Sequence, residues 1–140
     1  MLRAPVTSRS VSMMAMALLI AVGSACGSNA PAEDPPAGAD SGALCPSKST
    51  ATYDNFGKAF FDTYCQGCHA SALTGDARMG APTDHTFDTL AQIRSAKSHI
   101  DQTAASGPKA TNTFMPEGGA PKPTMAERQT LGEWLACGAP

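Results

Sequence analysis

Residues 57–69 read GKAFFDTYCQGCH and end in Cys65-Gln66-Gly67-Cys68-His69. Two thiols three positions apart, followed at once by an imidazole, have a specific chemical use. Each thiol can add to one vinyl group of a haem, and the next residue then lies under the iron as its proximal ligand. The segment therefore predicts one covalent haem c, with Cys65 and Cys68 as thioethers and His69 on the iron. Three other uses of such a pair stay open. A zinc site needs four Cys or His ligands, and no second C-x-x-C or H-x-x-x-H is present. A thioredoxin-like redox pair belongs at a helix start in a βαβ setting, whereas this pair ends a helical pattern. A Cys65–Cys68 disulfide is strained at that separation.

Working outward, the pattern on either side is helical. Phe56, Phe60 and Thr63 or Tyr64 recur at helical spacing, with Gly57 and Phe61 on the adjoining stripe. A first helix starts near Thr52 to Asp54, where Thr and Asp can cap. A second is expected over residues 86–104, with Phe87, Leu90, Ile93 and Ile100 on one face and Asp84 or Thr86 as cap. The third opens with Thr124-Met125-Ala126-Glu127, a T-x-x-E capping box. It continues through Leu131, Trp134 and Leu135, and Gly138 can end it. Residues 106–123 form a Gly- and Pro-rich loop. Strand signals are weak throughout, so the expected class is all-α with long loops and about three main helices, in one domain over residues 44–140.

The other end of the chain reads as an address. Arg3 and Arg9 precede Met13 to Val22, ten unbroken apolar residues. That run is too short to span a bilayer, which takes about 20, and it has the length of a signal-peptide core. Residues 1–25 are thus expected to be removed. Gly23, Ser24 and Ala25 lead into Cys26, and Ser24-Ala25-Cys26 resembles a bacterial lipobox, in which the cysteine is acylated; Gly23 departs from that pattern. Residues 26–43 are expected to be a flexible tether. Of residues 27–43, 13 of 17 are Ala, Pro, Gly or Ser, and none is large and apolar. As a coil they would reach about 20–25 Å. The expectation is an exported lipoprotein on the periplasmic side, held to a membrane through lipid on Cys26. Gly27, lacking the Asp that retains some lipoproteins at the inner membrane, favours the outer one.

The chain has 140 residues, 10 basic against 12 acidic, with 16% charged and 6% aromatic. Without Arg3 and Arg9 eight basic residues face twelve acidic ones, a net charge of −4. An acidic domain is a poor partner for nucleic acid, whose phosphates call for a basic patch. A core this thin in a domain this small calls for a staple. With Cys26 assigned to lipid and Cys65 and Cys68 to haem, Cys45 and Cys137 remain, and an oxidising compartment would let them pair.

Residues 52–138 resemble a class I c-type cytochrome. Gly57-x-x-x-Phe61-x-x-x-Cys65-x-x-Cys68-His69 matches the family's first helix, and Leu131-x-x-Trp134 matches its last. The resemblance implies a cytochrome c-like fold in which those two helices cross closely at Gly57. It implies an axial methionine in the loop before the last helix, where Met115 stands 46 positions after His69. A thioether there raises the potential. Met79 is only ten residues past His69, Met125 belongs to the capping box, and His85 and His99 are rival ligands. The family also implies a proline carbonyl holding the other nitrogen of His69, which points to Pro82. The expected role is electron transfer between redox partner proteins by a monomer that is not an enzyme. An alternative is a haem with an open or labile sixth position that binds a small gas or peroxide. A third reading is an exported structural protein with disulfides and no haem. No Ser-His-Asp set, phosphate loop or paired-carboxylate pattern supports a hydrolase.

Overall fold

In the computed structural model residues 38–140 are described. The expected signal peptide 1–25, Cys26 and most of the expected tether lie outside them. The order is a π-helical turn at Tyr53–Gly57, α1 (Lys58–Tyr64), α2 (Gln66–His69), a 3-10 turn at Gly75–Arg78, α3 (Leu90–Ser95), α4 (Lys97–Ala104) and α5 (Met125–Ala136). The described residues form no strand; one isolated bridge joins Ser106 and Thr111. The class is all-α, as expected. No helix among the described residues is long and apolar enough to cross a membrane.

Capping starts the helices. Thr52 Oγ1 accepts from the Asn55 N–H at 3.3 Å, and Asn55 Oδ1 accepts from the Thr52 N–H at 2.7 Å. The same reciprocal box recurs at Thr89 with Gln92 and at Thr124 with Glu127, each satisfying N–H groups that a helix start leaves open. The last of these is the box read from the sequence. Glu127 also accepts from the Tyr64 hydroxyl at 2.9 Å, tying α5 to the end of α1. After Ala136, the Gly138 N–H donates to the Leu135 carbonyl at 2.9 Å and closes α5.

The expected single helix over 86–104 is two, α3 and α4, separated at Ala96 (φ −96°, ψ 6°), and its cap is Thr89 rather than Asp84 or Thr86. The reason lies in Phe87. Its N–H donates to the His69 carbonyl at 3.1 Å, and its own carbonyl accepts from Gln66 Nε2 at 2.7 Å. Both main-chain groups are engaged by the cysteine motif, so the helix begins after them.

The core is built on aromatic rings. Trp134 and Leu131 are fully buried, as are Phe61 and Ile93. Phe61 packs against Trp134 at 6.3 Å and edge-on to Phe87 at 5.5 Å between centroids. The backbone of the first helical segment comes close to α5 at Gly57, where a Cβ would lie 2.7 Å from Trp134 Cζ2. This is the close approach expected at that position. A second such site is Gly132 of α5, where a Cβ would lie 2.7 Å from the Ser106 carbonyl oxygen.

Cys45 and Cys137 form a disulfide with their Cα atoms 4.6 Å apart and 92 positions between them in sequence. On the chain-entropy treatment a loop of that size contributes about 4–5 kcal/mol. Residues 38–43 correct the tether boundary, since they pack on the domain. Ser41 is 1% exposed and gives its N–H and hydroxyl to the Asp101 carboxylate at 2.8 and 2.5 Å. Gly38 donates to the Gln102 carbonyl at 2.9 Å, and Asn112 Nδ2 reaches the Ala39 carbonyl at 2.8 Å. A segment without large apolar residues is thus held by hydrogen bonds to α4 and its neighbours rather than by apolar burial.

Two measurements check this packing. Gly57→Ala should destabilise the protein by about 1–3 kcal/mol, because the Trp134 ring has no room to yield; denaturant unfolding reads it, and an unchanged midpoint contradicts the close approach. The hydrogen bonds from Thr124 and then Tyr64 hold the Glu127 carboxyl below the ordinary glutamate range. A depressed folded-state value means stability that is present above pH about 4.3, the unfolded value, and lost as pH falls through the folded value. The stability difference between wild type and Glu127→Gln should therefore shrink below that pH; a difference constant from pH 7 to 3 would contradict the linkage.

Candidate functional site

The end of α1 and the single turn of α2 set the cysteine motif. Cys65 follows α1, its N–H donating to the Phe61 carbonyl at 2.9 Å, and its own carbonyl receives the N–H of Cys68 at 3.2 Å and of His69 at 3.0 Å. One helical turn therefore carries both thiols and the imidazole. Cys65, Cys68, His69 and Met115 all line one cavity of about 350 Å³, which puts Met115, far along the chain, with the motif. Phe60, Phe61, Phe87 and Ile100 supply its apolar lining. Both motif cysteines are free thiols, and burial pushes the Cys65 thiol up to about 12, with Cys68 adding to the rise. A redox pair of the thioredoxin kind has a lowered thiol instead, and its βαβ setting is missing from the described residues. Among the described residues no group of three or more His, Cys, Asp or Glu side chains is placed together so that it could hold a metal ion.

His69 is 8% exposed and held on two sides. Its ring stacks on Phe87 with centroids 4.7 Å apart and planes 24° apart. Its Nδ1 lies 2.9 Å from the His85 carbonyl oxygen. A carbonyl only accepts, so Nδ1 carries the hydrogen, and in the neutral ring Nε2 keeps its lone pair. Burial is the first cause that pushes the His69 pKa down, only partly opposed by the bond to His85, and the imidazole is neutral at pH 7. This is the tautomer a metal ligand needs, fixed by the outer hydrogen bond. The partner corrects the expectation of Pro82: the carbonyl that meets Nδ1 is that of His85, and the Pro82 carbonyl accepts from Arg78 instead.

Arg78 carries no signal in the sequence that marks it, yet it organises this side of the cavity. It is 4% exposed. Its Nε donates to the Ala81 carbonyl at 3.0 Å, its Nη1 to Ala70 at 3.1 Å, and its Nη2 to Pro82 and, at 3.2 Å, to His85. One planar fork thus gathers the loop that follows the motif and steadies the carbonyl that orients His69. Ser71 completes the bracing by donating its N–H to the Asp88 carboxylate at 3.0 and 3.1 Å.

The rival ligands are placed less uniformly. His99 lines the cavity, and the His85 ring stacks on it with centroids 4.8 Å apart. Met79 lines the cavity as well but is 69% exposed, whereas Met115 is packed against the core. Met125 is half-exposed on α5.

Arg78→Met should cost about 1–3 kcal/mol, since it removes four hydrogen bonds at once and leaves the Ala81 carbonyl without its donor. Chemical denaturation of the protein measures this, and a loss under about 0.5 kcal/mol would show that water replaces the guanidinium without penalty. No protein-family model, no curated protein and no solved structure matches the chain.

Proposed function

We propose that this chain is an exported, single-haem c-type cytochrome of the class I kind, which carries one electron at a time and turns over no substrate. The observation that supports it most is that Cys65, Cys68, His69 and Met115 line the same cavity. The residues fit the group. The cavity, at about 350 Å³, is within the range of cofactor sites. The donors are two thiols at vinyl spacing, a neutral imidazole and a soft thioether.

Cys65 and Cys68 would hold the haem through thioethers, and His69 and Met115 would ligate its iron. Bound there, the haem supplies a one-electron iron couple whose potential a thioether ligand raises. The protein's part is to orient and to exclude water. Phe87 and the His85 carbonyl fix the plane and tautomer of His69, and the lining rings keep the surroundings apolar, which also tunes the couple. Met79 and Phe114, 69% and 38% exposed, line the same cavity and give its surroundings an apolar rim. A small rim suits the brief, weak docking of redox partner proteins. The Cys45–Cys137 disulfide agrees with export to an oxidising compartment, where lipid on Cys26 would hold the chain to a membrane, the outer one by preference.

The absorption spectrum of the chain matured with covalent haem tests this. The expected result is a c-type spectrum whose ferric form has the long-wavelength band of iron–methionine sulfur ligation, lost in Met115→Ala. A c-type spectrum without that band, together with carbon monoxide binding to the reduced protein, would point to an open sixth position. No pigment at all would leave a disulfide-bonded structural protein.

A further inference from the structure

Arg128 is a second buried arginine, 3% exposed, on the inner side of α5. Its Nη1 donates to three main-chain carbonyls: Ala104 at 2.7 Å, Met115 at 2.9 Å and Asn112 at 3.0 Å. No ion pair involves it among the described residues. A buried cation is expensive to desolvate, and an apolar side chain would fill a core position at lower cost. What the guanidinium achieves here is to join three points of one irregular segment, the end of α4 and two places in the loop that carries Met115. The N–H of Met115 is held separately, donating to the Thr103 carbonyl of α4 at 2.9 Å. Both main-chain polar groups of Met115 are therefore anchored, one to α4 and one to α5. Met79, by contrast, gives its N–H to Asp76 within its own turn and leaves its side chain largely in solvent.

We propose that Arg128 is the positioning residue for Met115, holding the backbone from which its thioether reaches the iron. The inference rests on the haem reading above and deepens it. Removing an outer group that orients a metal ligand lowers metal affinity or activity by about 10–100-fold. Residues 105–123 form no helix, so a ligand carried there is kept in register by anchors of this kind.

The test uses the full chain with haem attached, as wild type, Arg128→Met, Arg128→Gln and Arg128→Lys. One haem per chain is confirmed first, since Cys65 and Cys68 bind it independently of Arg128. In Arg128→Met the iron–methionine sulfur band should be largely lost, and the reduced protein should bind carbon monoxide at temperatures well below its unfolding midpoint. Arg128→Lys keeps the charge and three N–H donors, so it should restore most of the band. Should Arg128→Met yield no folded protein, Arg128→Gln decides: its uncharged amide should leave a weakened band and partial carbon monoxide binding. A lower unfolding midpoint with a wild-type band in Arg128→Met, or in Arg128→Gln where that variant decides, means a merely structural arginine and overturns the proposal. A wild-type chain with haem but no band overturns it differently, by removing Met115 as ligand, and one without haem removes the underlying reading itself.

Discussion

Long irregular segments that run through the inside of a small domain bring buried carbonyls with them, and each must find a donor. In this chain two arginines meet a large part of that constraint. Arg78 serves four carbonyls after the cysteine motif, and Arg128 serves three around the segment before α5. Neither is paired with a carboxylate among the described residues. Arginine suits the task because its planar fork presents several donors at fixed angles and it stays charged even where burial lowers its proton affinity, as at Arg128.

The same bonds shape the site. The His85 carbonyl receives both Arg78 and the imidazole of His69, so the loop that Arg78 gathers also sets the tautomer of His69. Phe87 links this to the core, stacking on His69 while touching Phe61, which in turn packs on Trp134. The site and the core are thus one continuous ring-packed unit. A change at Gly57, which underlies Trp134, acts on the packing behind the histidine as well as on α5.

Helices of four to twelve residues bury little apolar surface on their own, and small domains are usually short of core. The disulfide and the reciprocal capping boxes answer that shortage locally. Residues 38–43 answer it with polar contacts, through the carboxylate of Asp101.

The features legible in the sequence were those whose physics is local or combinatorial. The Thr124–Glu127 box depends on a four-residue spacing, and Cys45 and Cys137 are the pair that remains when lipid and haem take the other cysteines; the close crossing at Gly57 is instead what the resemblance to class I c-type cytochromes implies. The motif of Cys65, Cys68 and His69 is likewise a matter of spacing along one turn. Only the tertiary structure decided what depends on the path of the chain. The carbonyl that meets His69 belongs to His85 rather than Pro82, because every residue has a carbonyl and no side chain marks the one that arrives. The second helix starts at Leu90, because the backbone of Phe87 is engaged by a motif some twenty residues earlier. Arg78 and Arg128 read as ordinary charges in a mildly acidic chain, and only the fold shows that each is buried and gathers several main-chain carbonyls.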